Sequence, residues 1–162
     1  MTDTKKKFIL AGILMWAAVV IFVLLTVRKE PAASVSPEEM KALLLKASSD
    51  PDNMKEEGAM KLKSLYHLNR DDYEAVLLWV PSSNMDAQEM LVVKVKDEEQ
   101  TAAVSDAMHQ RIRDLRQMFS SYGIDQMALI DSAVVDVRGP WCLYASDRNS
   151  SEIRAAFRRA LR

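Results

Sequence analysis

The pattern of hydrophobic and polar positions changes most sharply near the start of the chain. Residues 8–27 (FILAGILMWAAVVIFVLLTV) form an unbroken run of twenty uncharged, mostly apolar residues. As an α-helix this run would be about 30 Å long, which matches the hydrocarbon thickness of a bilayer. The pattern therefore predicts a transmembrane helix at residues 8–27.

The residues that flank this run predict its orientation. Three lysines at positions 5–7 precede it, and Arg28 and Lys29 follow it next to Glu30. The positive-inside bias favours a cytoplasmic basic tail at residues 1–7 and a plasma-membrane signal anchor, with the remaining chain outside. A cleaved signal peptide is the alternative. The run exceeds the usual apolar length of such peptides, about 7–15 residues, so we expect an uncleaved anchor in contact with lipid.

Beyond a linker at residues 28–35, residues 36–162 show the patterns of one small extracytoplasmic domain. Apolar residues at steps of three and four predict helices that begin near Ser36, Met60, Asp97 and Asn149. Continuous or alternating apolar residues predict strands at 73–80, 89–96, 133–138 and 141–146. The order contains two strand-strand-helix units. We predict a two-layer α+β domain, a four-stranded antiparallel sheet with helices on one face.

Composition narrows the class of protein. The formal net charge is −1, but residues 1–29 carry +4, residues 30–100 carry −7 and residues 101–162 carry +2. The two signs are mixed along the folded part, which argues against binding to nucleic acid. The one cysteine, Cys142, cannot form an internal disulfide, and its apolar neighbours predict a buried, inert thiol. The eight methionines beyond residue 27 are expected to fill the core.

Several segments in a fixed order resemble a bacterial family. They are LKSLYHLNRDDYE, SNMDAQEMLVVKVKD, the helix that contains Arg111, SYG and AVVDVRGPW. Over residues 62–161 the chain resembles the family of domain of unknown function 4358. The resemblance implies a small membrane-anchored or lipid-anchored protein of unassigned activity. The chain departs from the lipid-anchored type because no cysteine follows the apolar run.

The segment at residues 83–89 is the first candidate site. It joins two adjacent predicted strands and is longer than most hairpin loops. Its polar residues Asn84, Asp86 and Glu89 could bind a ligand or a cation. The glycine and the oxygen spacing of a calcium loop are missing, and Asp86 could equally cap the backbone before the second strand. His67 and His109 have no second ligand nearby, so we predict no metal site and no cofactor.

Arginines on two predicted helices form the second candidate site. Arg111 lies on the long helix, and Arg154 and Arg158 lie on the last one. If these helices lie side by side, their outer faces would make a basic surface for anionic lipid headgroups or wall polymers. The alternative is a solvated face with local ion pairs.

These features favour a non-enzymatic binding or accessory protein held near the membrane surface. Its expected partners are membrane lipid, through the anchor, and another membrane or cell-envelope component. One alternative is an enzyme of unrecognised type that uses the 83–89 loop, for which a deep pocket lined by Asp86, Glu89 and Tyr73 would be the sign. The other alternative is a subunit of a larger membrane assembly, held through the anchor.

Overall fold

The computed structural model describes Trp16, residues 35–121 and residues 123–162. The predicted basic tail and anchor lie outside the described residues, except for Trp16, which is helical. Within the described residues, no helix combines the length and apolar character needed to cross a membrane. The chain divides into two units, Met1–Ala32 and Ala33–Arg162.

The second unit contains five helices and five strands in the described part of the chain. The helices are α1 (Pro37–Ala47), α2 (Ala59–Tyr66), α3 (Gln100–Phe119), α4 (Ile124–Asp131) and α5 (Ser150–Ala160). The strands are β1 (Met54–Glu57), β2 (Tyr73–Pro81), β3 (Glu89–Val95), β4 (Val134–Arg138) and β5 (Trp141–Ser146). The α+β class is therefore confirmed.

The strands form one antiparallel sheet in the order β1-β2-β3-β5-β4. The prediction of four strands is wrong because β1 was missed. This strand pairs with the end of β2, from Met54 opposite Pro81 to Glu57 opposite Leu78. It lies at the sheet edge, and only Met54 in its MKEE sequence is buried. A short polar edge strand has no apolar alternation by which it could be found.

Helices cover both faces of the sheet, so the prediction of helices on one face is also wrong. One core joins α2, α3 and α4 to Leu78, Leu91 and Tyr144. The other core joins α1 and α5 to the alternate strand residues Trp79, Val92 and Leu143. All six residues of β5 are buried. Strands that are apolar on successive positions need cover on both faces, which makes the domain three-layered.

The strand-strand-helix order occurs twice, as β2-β3-α3 and β4-β5-α5. The central strands β3 and β5 are antiparallel neighbours. A twofold axis between them would leave α3 and α5 on the same face of the sheet. The helices α3 and α5 pack on opposite faces, so no such axis relates the two strand-strand-helix segments.

The connecting segments 48–53, 82–88 and 147–149 gather at one end of the sheet, which we call the loop end. There β2 and β5 finish and β3 begins. Helix α1 runs toward this end, because the hydroxyl of Ser48, directly after α1, donates to Asp147, directly after β5, at 2.7 Å. Helix α1 has 11 residues, and so it begins roughly 16 Å away from the loop end. The chain therefore enters the domain at the opposite end.

Candidate functional site

The 82–88 loop is ordered by its own polar side chains. The Oδ1 atom of Asp86 accepts the N–H of Gln88 at 2.9 Å, and its Oδ2 atom accepts the amide of Asn53 at 2.6 Å. The Ser83 hydroxyl accepts the N–H of Met85 at 3.1 Å. Asp86 thus caps the backbone just before β3, as the structural alternative predicted, while Asn84 is exposed at the loop tip.

Glu89 and Arg111 form a buried ion pair beside this loop. The Nε atom of Arg111 lies 2.9 Å from Oε1 of Glu89, and a terminal nitrogen lies 2.7 Å from Oε2. The Tyr66 hydroxyl donates to the same carboxylate. Glu89 is 2% exposed and Arg111 is 9% exposed. Two side chains that the sequence placed in separate candidate sites therefore meet in one bidentate pair.

The surroundings keep the Arg111 guanidinium charged and the Tyr66 hydroxyl protonated. Burial alone would lower the pKa of Arg111, but the hydrogen bonds and negative charge of Glu89 outweigh burial and raise it. Burial, and then the charge of Glu89, raise the pKa of Tyr66 well above its ordinary value, so its hydroxyl stays protonated as a donor. In the described part of the chain, the neighbouring buried hydroxyls of Tyr144 and Ser146 have no hydrogen-bond partner.

The three arginines do not form the predicted basic surface. Arg111 is buried on the α3 side of the sheet, whereas Arg154 and Arg158 lie on α5, which covers the other side. Arg158 instead donates from Nε to Asp136 of β4 at 2.5 Å, and Arg138 lies 3.5 Å from the same carboxylate. The surface hypothesis required α3 and α5 to be neighbours, and the sheet separates them.

A cleft of about 360 Å³ opens between the 82–88 loop, α2 and α3. Four of the six predicted site residues line it: Asn84, Asp86, Glu89 and Arg111. Its other walls are mainly apolar and come from Leu65, Val80, Pro81, Leu115, Met118 and Phe119, with Lys61 at the side. The cleft therefore combines an apolar wall with polar loop residues and the buried Glu89–Arg111 pair.

One exposed apolar side chain lines this cleft, and three others belong to segments that border it. Met118 lines it and is half exposed, Met85 lies in the loop between two lining residues, and Met60 directly precedes lining residue Lys61. Ile124, which is 90% exposed, begins α4, whose Gln126 accepts the N–H of Ala87 in the loop at 2.7 Å. We call Met60, Met85, Met118 and Ile124 the apolar rim. The expectation that methionines fill the core is confirmed for Met40, Met54, Met90 and Met108 and is wrong for the three methionines of the rim.

A second, polar pocket of about 220 Å³ lies on the other side of Asp86. It is lined by Ser49, Asp50, Asn53, Asp86, Gln88, Gln126, Leu129 and Arg148. Behind it, buried Asp147 accepts hydrogen bonds from Ser48 at 2.7 Å, Gln88 at 2.8 Å and the N–H of Asn149 at 2.7 Å. Burial alone would raise the pKa of Asp147, but these hydrogen bonds lower it. Sequence reasoning missed this pocket because its residues come from four separate segments.

Both carboxylates of the cleft already accept hydrogen bonds from neighbouring groups. The Glu89 carboxylate accepts from Arg111 and Tyr66, and Asp86 accepts from Asn53 and Gln88. Tyr73, the third residue expected in an enzyme pocket, begins β2 at the end away from the loop. Among the residues described, no three His, Cys, Asp or Glu side chains are placed to hold a metal ion.

Comparison with known families confirms the resemblance noted in the sequence. The model of the family described as "Domain of unknown function (DUF4358)" matches residues 46–147, beginning before the predicted range and ending just after β5. No curated protein and no solved structure matches the chain. The match covers more than half of the chain and includes the whole sheet, the 82–88 loop and Arg111. The chain therefore belongs to the DUF4358 family of domains of unknown function.

Proposed function

We propose that this chain is a single-pass plasma-membrane protein whose extracytoplasmic domain binds another envelope protein through the cleft and its apolar rim. The apolar run at residues 8–27 and the lysines at positions 5–7 support the placement. The role is non-enzymatic, because the carboxylates of the cleft are engaged with neighbouring donors.

One observation carries the binding role: the half-exposed Met118 lines a cleft that contains a fixed ion pair, and the segments bordering this cleft carry three further exposed apolar side chains. Met60 and Ile124 are 89% and 90% exposed, although solvent contact gives such side chains no stability. Grouped apolar side chains on a protein surface mark interaction sites. Methionine is flexible and polarisable, which suits it to contact with a protein partner.

The position of the rim favours a protein over the lipid surface. The rim lies at the loop end, whereas the chain enters the domain at the other end, where α1 begins. The predicted linker joins the domain at the end where α1 begins. A partner with its own extracytoplasmic domain could contact the rim without contacting the predicted linker.

Site-specific photocrosslinking in intact cells tests this function. A photoreactive amino acid is placed at Met118 or Met85, and the matched control is Val137, an exposed apolar residue on β4 at the other end of the domain. We expect one defined adduct from the two rim positions and none from Val137. Met60→Glu should weaken the adduct from Met118 because it puts a charge beside the apolar contact. Equal adducts from Val137, or none from the rim, would contradict the proposal.

The alternative of a subunit held through the anchor predicts a different response. Residues 8–27 can be replaced by an unrelated apolar sequence of the same length. If the adduct persists after this change and is lost with Met60→Glu, the partner is bound by the domain. If the partner stays with Met60→Glu but is lost after the anchor exchange, the anchor holds it and the rim proposal fails.

A further inference from the structure

The polar pocket differs in character from the cleft beside it. Its lining contains three side-chain amides, from Asn53, Gln88 and Gln126, and only one apolar residue, Leu129. Its volume, about 220 Å³, is below the range of about 300–1,000 Å³ usual for drug-sized ligands. A pocket of this size and polarity suits a small metabolite that forms several hydrogen bonds.

Hydrogen bonds hold the side chains of the pocket wall in place, but they do not use every donor and acceptor of its amide groups. The Gln88 amide donates to Asp147 at 2.8 Å and to the carbonyl of Asp50 at 3.2 Å. Asn53 uses its nitrogen for Asp86 and for Gln88, and Gln126 uses its oxygen for Ala87. Within residues 35–121 and 123–162, the Asn53 oxygen and the Gln126 nitrogen have no hydrogen-bond partner. One free acceptor and one free donor therefore belong to a pre-organised wall.

Both signs of charge line the pocket. Arg148 and Asp50 are exposed and carry opposite charges, and neither makes a side-chain ion pair within the described residues. Asp86 adds a second carboxylate to the wall. Asp147 behind the wall is 1% exposed and is held by hydroxyl, amide and N–H donors rather than by a cation. An excess of negative charge with one arginine favours an ammonium group that is accompanied by a carboxylate.

We propose that this pocket binds a small zwitterion of the amino-acid class, with its ammonium group toward Asp50 and Asp86 and its carboxylate toward Arg148. Free amino acids and short peptides share this chemistry. The pocket shares Asp86 with the cleft, but Asp50 and Arg148 lie outside the cleft and the apolar rim, so variants at these two positions test the pocket alone.

Calorimetric titration of the full chain in detergent tests the proposal with defined probes. Alanine and alanyl-alanine carry both charges, ethylamine lacks the carboxylate, N-acetylalanine lacks the ammonium group, and glucose is a neutral polyol. We expect alanine, alanyl-alanine or both to bind, at least about tenfold more tightly than either single-charge probe. Whichever of alanine and alanyl-alanine binds more tightly shows whether the natural ligand is a free amino acid or a short peptide. Failure of both to bind at millimolar concentration, or equal binding of glucose, would overturn the proposal.

Matched variants locate the binding. Asp50→Asn and Arg148→Ala should each weaken it by about tenfold or more, and both leave the described side-chain contacts intact. Arg159→Ala and Asp106→Asn, exposed positions outside the pocket, are the controls and should bind as the unmodified chain does. An equal loss of affinity in a control and in its matched variant would contradict the proposal that this pocket is the binding site. Crosslinking from Met118 should persist in Asp50→Asn and Arg148→Ala, so the two proposals can fail separately.

Discussion

At the scale of single residues, the Glu89–Arg111 pair is the most deeply buried ion pair within the described part of the chain. The carboxylate oxygens of Glu89 accept two hydrogen bonds from the guanidinium of Arg111. Such a pair contributes little over an apolar replacement, but removing one partner leaves a buried charge without compensation. The pair therefore fixes the geometry of the cleft more than it adds to stability.

Replacing one member of this pair should be more harmful than replacing both. We expect Arg111→Met to lower the free energy of unfolding by about 3–5 kcal/mol. The double variant Glu89→Leu, Arg111→Met should recover part of that loss, because it removes the unpaired charge but leaves the Tyr66 hydroxyl without its acceptor. Chemical denaturation of the full chain measures both. The control is Arg113→Ala, an exposed arginine two positions away on α3, with an expected change within about 0.5 kcal/mol. A double variant as unstable as the single one would refute the pairing argument.

Asp147 should make the stability of the domain depend on pH in the acid range. Hydrogen bonds from Asn149, Ser48 and Gln88 outweigh burial and hold its pKa below the ordinary value. A carboxyl of this kind stabilises the fold above its unfolded pKa, about 3.9, and the contribution is lost as the pH falls through the folded pKa. The free energy of unfolding should therefore decrease below about pH 4.

The variant Asp147→Asn isolates this contribution. At neutral pH we expect a loss of about 1–3 kcal/mol, because donors from Ser48, Gln88 and Asn149 lose a charged acceptor. Its stability should also decrease less steeply in acid than that of the unmodified chain. Asp106→Asn, at an exposed position, should leave the acid response unchanged. An identical slope for Asp147→Asn and the unmodified chain would exclude Asp147 as the titrating group.

At the scale of elements, the start of α1 shows how well short-range signals can be read. Ser36 accepts the N–H of Glu39 at 3.1 Å, and Glu39 accepts the N–H of Ser36 at 3.1 Å, so both halves of a capping box are present. The sequence analysis predicted a helix that begins near Ser36, where a serine is followed by a proline and two acids. Such caps depend on neighbours three positions apart and need no tertiary contact.

Loss of this cap should cost a defined amount of stability. We expect Ser36→Ala to lower the free energy of unfolding by about 1 kcal/mol, since one backbone donor of α1 loses its acceptor. Ser64→Ala, within α2 at an exposed position, is the matched control and should cause no loss. Thermal unfolding of the two variants beside the unmodified chain gives the comparison, and equal midpoints for Ser36→Ala and the unmodified chain would argue against the cap.

Sheet features were harder to predict than helices. The four apolar strands and the amphipathic helices carry their own periodicity, so the sequence located them. Strand β1 carries none, and its place beside β2 depends on pairing with a segment more than twenty positions later. The number of covered faces depends on β5, whose six residues are all buried although they include a cysteine, a tyrosine and a serine. Packing from both sides, rather than local preference, determines that burial.

At the scale of the whole molecule, the candidate site was partly predictable. The 83–89 segment placed Asn84, Asp86 and Glu89 beside one cleft because a long loop on a rigid sheet stays at its end. The sequence could not predict that Glu89 pairs with Arg111, because Arg111 lies 22 positions further along the chain. The grouping of Arg111 with Arg154 and Arg158 failed because sequence gives the face of each helix but not the face of the sheet that it covers.

The proposed function requires that the loop end of the domain is accessible outside the cell, and cysteine labelling in intact cells measures this accessibility. The one native thiol, Cys142, is buried, and burial raises its pKa to about 12, so the unmodified chain should label weakly. Asn84→Cys puts a thiol at the exposed loop tip, and Thr4→Cys puts one in the predicted cytoplasmic tail. We predict that a membrane-impermeant maleimide labels Asn84→Cys in intact, wall-stripped cells and labels Thr4→Cys only after lysis. Labelling of Asn84→Cys only after lysis would contradict the proposed placement and, with it, the binding of an envelope partner.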